Sequence, residues 1–390
     1  MRAYVFTDKA LARHAGRFVW LEVDTEKAQN ADFRKRFPAK ALPSFFVIDP
    51  ESERIALRWT GGATVKQLEK ILDEGRRAVA APTKPAAPAN DRAAAADAAF
   101  TRAEAFYAEG KNAEAATAYR EALKQAPADW PRYGRAVESA LFALSDTEEY
   151  ETGAALAREA FPRLARTASA ANVATSGLDC ALSLPKEHEH RAELVSLFEA
   201  SAQTVVSDPK IPVAADDRSG VFGVLVSARE DANDDVGVKD TARRWAAFLD
   251  GEAARARTPE ARTVFDSHRL SACLKLGEPE RAIPFLEASE RDLPNDYNPP
   301  ARLALAYKAM KKWDEALAAS TRALENAYGP RRITILNARA DIHTGRGDAA
   351  GARQTVQDAL AFAQSLPDGQ RSDATIANLE KKLAALAAPQ

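Results

Sequence analysis

A chain of 390 residues exceeds one ordinary hydrophobic core and points to two or three domains. Its 46% hydrophobic and 28% charged residues and formal net charge of -2 are those of a globular protein, which excludes a disordered polymer and leaves no electrostatic footprint for nucleic acid. Two cysteines, Cys180 and Cys273, stand far apart in helical text, so a disulfide framework is excluded, a structural zinc site lacks ligands, and no apolar run is long enough to span a bilayer.

Residues 1–80 alternate strand and helix signals. Met1 is followed by Arg2, Asp8, Lys9, Arg13 and His14 rather than by an apolar stretch, so no signal peptide is read there. The run 18–24, with Phe18, Val19, Trp20, Leu21 and Val23, predicts a strand ending in Asp24, and 30–37 predicts a short helix that Asn30 could cap. Residues 45–49 and 54–60 predict two strands joined by a hairpin-length turn, with Gly61 and Gly62 stopping the second. Thr64 then caps a predicted helix to about Ala80, with Val65, Leu68, Ile71 and Leu72 on one face.

Pro82, Pro85 and Pro88 among alanines mark 81–92 as a semi-rigid linker. Beyond it the text is helical and self-similar. Ala103, Phe106, Gly110, Ala115, Tyr119, Ala122 and Pro127 set a frame. It recurs as Leu270, Cys273, Gly277, Ala282, Leu286 and Pro294, as Ala304, Tyr307, Lys311, Trp313, Ala316 and Ala323, and as Ala340, His343, Gly347, Ala352 and Ala359. Small residues at the repeated positions fit close helix crossings, and bulky ones fill the space between pairs. From Gly277 to Lys311 the step is 34 residues, and the next step is two longer. That period resembles the tetratricopeptide repeat, which implies a right-handed stack of antiparallel helix pairs binding protein or peptide partners along a groove. Residues 93–130 and 263–388 are read as such repeats, and 131–262 as degenerate ones with a long loop near 208–219.

The order of the first eighty residues, strand, carboxylate, helix, Leu42 and Pro43, strand, hairpin, strand, two glycines and helix, resembles the later three-quarters of a thioredoxin domain. The resemblance implies a cis Leu42–Pro43 bond and a substrate-facing loop over 40–45, with Leu42, Pro43 and Ser44. The family's Cys-x-x-Cys pair and first core strand are missing, and Met1 stands where a methionine follows that pair. The expectation is that the reading frame continues upstream. The fold class is therefore an incomplete α/β thioredoxin-like domain plus an all-α helical repeat solenoid.

Other clusters yield to plainer readings. Neither cysteine has a partner three positions away, so both read as inert core thiols. His188 and His190, two apart, share no helix face and have no third ligand. In 231–235 the calcium-loop pattern fails, because Gly237 is one position late and Ala242 stands where the bidentate Glu would be. No catalytic residue, metal or cofactor is assigned. Lys308, Lys311, Lys312, Arg331 and Arg332 are candidates for a basic wall facing a peptide carboxylate, against the plainer reading of solvated helix faces. Two functions follow: a thiol-disulfide protein of the thioredoxin class, redox-inactive as given and enzymatic only with an upstream cysteine pair, or a non-catalytic scaffold with a vestigial thioredoxin-like binding domain. The partner is a protein or peptide in the repeat groove. As given the chain reads as cytoplasmic, and an upstream signal would make it periplasmic or secreted.

Overall fold

The computed structural model describes residues 5–39, 42–80 and 92–386. In chain order its elements are a 3-10 turn at Lys9–His14, a second at Ala28–Asn30, α1 (Ala31–Arg36), β1 (Ser44–Ile48), β2 (Ile55–Thr60) and α2 (Val65–Ala80). Helices follow as α3 (Arg92–Ala108), α4 (Asn112–Gln125), α5 (Tyr133–Asp146), α6 (Tyr150–Leu164), α7 (Ala170–Ser183), α8 (Arg191–Ser207), α9 (Ala215–Asp231) and α10 (Asp235–Arg255). The rest are α11 (Pro259–Thr263), α12 (Asp266–Leu276), a 3-10 turn at Pro279–Ala282, α13 (Ile283–Asp292), α14 (Asn298–Ala309), α15 (Trp313–Asn326), α16 (Gly329–Arg346), α17 (Ala349–Ser365) and α18 (Asp373–Ala385). The expected linker falls at 81–91, outside the described residues, while Arg92 already belongs to α3.

Two compact units divide the chain: Met1–Phe18 with Pro38–Thr241, and Val19–Phe37 with Ala242–Gln390. In the first, β1 and β2 form an antiparallel hairpin that pairs Phe45 with Trp59 and Val47 with Leu57. Its turn is fastened by the Asp49 carboxylate, which accepts from the Glu51 amide and the Ser52 hydroxyl. Helix α2 opens with a reciprocal cap, in which Gln67 N–H donates to Thr64 Oγ1 and Thr64 N–H donates to Gln67 Oε1. Its buried face is Leu68, Ile71, Leu72 and Gly75. Gly75 is a contact point: a Cβ there would lie 2.5 Å from Val47 Cγ2, so only a bare backbone lets the strand sit this close. The core under the hairpin is small, with Leu11, Ala63, Leu68, Ile71 and Leu72 buried.

This hairpin is the only sheet among the described residues, so a thioredoxin-like domain is not shown. The expected strand at 18–24 is irregular chain, with Val19, Trp20 and Leu21 at 89%, 50% and 75% exposure. Strand propensity expresses packing against cross-strand neighbours, and among the described residues no strand pairs with this run. The helix expected at 30–37 forms as α1, but Asn30 does not cap it; its amide donates to the Asp24 carbonyl instead.

The helical text folds as helix pairs, including the stretch read as degenerate. Ala115, Ala282, Ala316 and Ala352 are each fully buried, as close helix crossings require. Six pair turns share one backbone solution: Gly110, Glu148, Asn233, Gly277, Lys311 and Gly347 all have left-handed φ of 55° to 84°. At each, the N–H of that residue bonds three residues back and the next N–H bonds five back, as in Gly277 to Leu274 and Glu278 to Cys273. The loop expected over 208–219 is shorter, because α9 begins at Ala215. Buried Arg218 explains this: its guanidinium donates to the carbonyls of Val205, Asp208 and Ile211 and closes the turn with charge-assisted bonds.

Candidate functional site

In the second unit, the connection from α15 to α16 runs through Tyr328 and Gly329, and Gly329 takes a left-handed φ of 54°. Pro330 follows at a first-turn position, where its missing N–H costs nothing. This corner meets residues 24–27. Tyr328 donates its hydroxyl to Asp24 Oδ2 at 2.6 Å, and Arg331 Nε donates to Glu26 Oε1 at 2.9 Å. From the turn before α18, buried Gln370 donates its amide to the Glu26 carbonyl at 2.7 Å and reaches the Thr25 carbonyl at 3.4 Å. Lys27 places its ammonium 5.8 Å from the Tyr328 ring centroid, and Tyr297 meets that ring edge-on at 6.0 Å. A Cβ at 329 would stand 2.6 Å from the Glu26 carbonyl oxygen, so the glycine leaves room for the segment. The hydrogen bond to Asp24, together with burial, pushes the Tyr328 phenol pKa upward and keeps it a donor.

Beside this contact a cavity of about 400 Å³ opens between α16, α17 and α18. Its polar lining includes Thr334, Asn337, Gln370, Thr375, Asn378 and Lys382. Lys382 donates to Asp341 Oδ1 at 2.8 Å and approaches Asn337 Oδ1 at 3.4 Å, while Lys308 lies 3.7 Å from the other Asp341 oxygen. The arrangement presents amide and hydroxyl groups that can pair with a peptide backbone.

The five cations expected to form a basic wall each have their own place. Arg331 holds Glu26, Lys308 pairs with Asp341, and Arg332 donates to the Leu324 carbonyl at 2.7 Å with its guanidinium 5.6 Å from the Phe362 ring centroid. Lys311 is the left-handed turn residue and Lys312 the N-cap position of α15. Tyr328, Asn337, Gln370 and Lys382 were not singled out by the sequence, because nothing local marks a contact between residues 304 apart.

In the first unit the Leu42–Pro43 bond is cis, Leu42 is exposed, and the Pro43 carbonyl accepts from Gly61 N–H at 2.7 Å. Ser44 opens β1 opposite Thr60, while Lys40 and Ala41 fall outside the described residues. Both cysteines are buried free thiols. Burial, with the Asp179 carboxylate, pushes Cys180 up to about 12, and burial raises Cys273 as well, the reverse of what a nucleophilic thiol needs. His188 and His190 face Glu151 and Glu189. Asp231 is gripped by Lys186 and then Arg191, which hold its carboxyl below the usual range. No group of three or more His, Cys, Asp or Glu among the described residues is placed to hold a metal ion, and no described helix is long and apolar enough to cross a membrane.

Residues 297–365, covering α14 to α17, match the tetratricopeptide repeat family model. The chain thus carries tetratricopeptide repeats there. No curated protein matches the chain. Among solved structures it is similar to a tetratricopeptide repeat protein from Parabacteroides merdae, at 8% identity and a TM-score of 0.47, over 75% of this chain and 99% of that one. It is also similar to the TPR2AB domain of yeast Sti1, solved in a pHSP90 complex, at 14% identity and a TM-score of 0.29, over 75% and 98%. A third similar structure is TTC0263, a TPR protein of Thermus thermophilus, at 15% identity and a TM-score of 0.26, over 75% and 99%.

Proposed function

We propose that the chain is a non-catalytic adaptor whose tetratricopeptide array binds a segment of a partner protein in the cleft between α16, α17 and α18. The observation that carries this reading is the cleft itself: about 400 Å³ lined by the amides of Asn337, Gln370 and Asn378, the hydroxyls of Thr334 and Thr375 and the ammonium of Lys382. Such groups recognise an extended backbone, which offers one donor and one acceptor per residue, and a repeat array supplies them at regular intervals. The β1–β2–α2 module, in the order the thioredoxin resemblance implies, is then a vestigial binding module. Thiol-disulfide exchange is not part of this reading, since both thiols are buried with raised pKa.

A peptide library displayed on phage and selected against the immobilised full chain tests the proposal. Enriched peptides are expected to bind the Asn337→Ala, Asn378→Ala double variant at least about tenfold more weakly, roughly the worth of one or two lost hydrogen bonds. Equal binding to both chains would remove the cleft from the function.

A further inference from the structure

The contact between residues 24–27 and the corner of α16 differs from a packed core contact in its chemistry. The segment presents a carboxylate, two carbonyls, a second carboxylate and an ammonium, and the corner answers with Tyr328, Gln370, Arg331 and the Tyr328 ring. The presented turn is also preformed. Asp24 Oδ1 accepts from the Glu26 amide at 2.9 Å, and Asn30 donates to the Asp24 carbonyl at 2.7 Å, so the turn holds its own shape without the docking surface. Any chain with an Asp-x-Glu-Lys turn of this kind offers the same groups in the same order. On the receiving side, Gly329 alone keeps the approach open, because a side chain there would meet the Glu26 carbonyl. The ion pair that anchors the turn is partly solvated, with Arg331 at 53% and Glu26 at 21% side-chain exposure, so it confers selectivity more than strength. The Glu26 carboxylate also lies beside the N-terminal turn of α16, where the helix dipole favours negative charge.

We infer that the Tyr328, Gly329, Arg331 and Gln370 corner is an exchangeable docking site for an acidic turn of the form Asp-x-Glu-Lys on a partner protein, held in cis by residues 24–27. This inference rests on the reading of the array as a protein-binding module and names the chemistry of the partner. The occupant in cis lowers the apparent affinity of a partner by the fraction of time the corner is free, so loosening the cis turn exposes the site.

The test uses a fluorescent peptide of residues 19–37 added to the full chain, with binding read by anisotropy. The chain carrying Asp24→Ala and Glu26→Ala is expected to bind this peptide at least about tenfold more tightly than the unaltered chain. Adding Arg331→Glu to that variant is expected to abolish binding, and a peptide with Arg in place of Glu26 is expected to restore it. Should the double variant unfold by circular dichroism, Glu26→Gln, which removes only the charge, is expected to move binding in the same direction. Equal binding by the loosened and unaltered chains, or indifference to Arg331→Glu, overturns the inference. If that happens while phage-selected peptides still depend on Asn337 and Asn378, the adaptor reading stands and this one falls. Loss of the selected peptides with the charge-swap pattern intact does the reverse for the cleft.

Discussion

The β1–β2–α2 module and the helix pairs of α12 to α17 solve the same problem, covering an apolar face, by different means. The module brings together a hairpin, a helix and residues from the 3-10 turn at Lys9–His14, and its buried cluster among the described residues is small, built on Leu11, Ala63, Leu68, Ile71 and Leu72. Each helix pair instead closes on its immediate sequence neighbour, with an alanine at the crossing and a left-handed residue at the turn, and it passes the next face to a unit with the same two features. Adding repeats therefore adds neighbouring buried clusters, whereas the module must be complete to be stable. The lesson is that stability in this chain follows how local the contacts are.

Paired truncations test that lesson with the largest effects. Leu68 and Leu303 are both almost fully buried, at 1% and 0% exposure. Leu303→Ala should cost about 2 to 5 kcal/mol in urea unfolding followed at 222 nm. Leu68→Ala should release the module, seen as fast tryptic cleavage at Arg54 and Arg58, while the helical signal is retained. Loss of helix in Leu68→Ala, or an unmoved Leu303→Ala transition, would break the contrast.

A middle-sized effect comes from Asp217 in the first turn of α9. Asp217 faces solvent, and partial desolvation in the first turn, with the Asp216 and Glu138 carboxylates, raises its pKa to about 7. Its folded pKa thus exceeds the unfolded value of about 3.9, so its contribution to stability is present in acid and is lost as pH rises from about 4 to about 7. Asp217→Asn should be more stable than the unaltered chain at pH 8, by at most about 1 kcal/mol because solvent screens the exposed carboxylate, and the gap should close near pH 4. A pH-independent gap would show that the carboxylate is not the cause.

The smallest effect sharpens the comparison within the repeats. Glu148 holds the left-handed turn with a φ of 60° where other pairs use glycine. Glu148→Gly should raise stability by about 0.5 to 1 kcal/mol, and Gly347→Val should lower it by more. A destabilised Glu148→Gly would mean the Glu148 side chain matters more than the backbone strain.

What could be read from the sequence follows the same line. The hairpin, the Thr64 cap and the frames around Gly110, Gly277, Lys311 and Gly347 were legible because each is written within a few residues of itself. The pairs around Glu148 and Asn233 kept the same turn geometry as the others, but neither has a glycine at the turn or the repeated spacing around it that marks the Lys311 frame. The run 18–24 failed as a strand because its propensity assumed a neighbour that the described residues do not contain. Of the expected basic wall, Arg331 meets a carboxylate 305 residues away. Tyr328 and Gln370 could not have been found by spacing.

The hydrogen bond from Tyr328 to Asp24 joins residues separated by 304 positions, and that separation is also a time. At about 5 to 20 residues per second on the ribosome, roughly 15 to 60 seconds pass between the emergence of the acidic turn and that of its corner. During that interval Asp24 and Glu26, with exposed Val19, Trp20 and Leu21 just ahead of them, are offered to whatever is nearby. The order of synthesis thus gives a partner that reads this turn its first opportunity before the chain can close on itself.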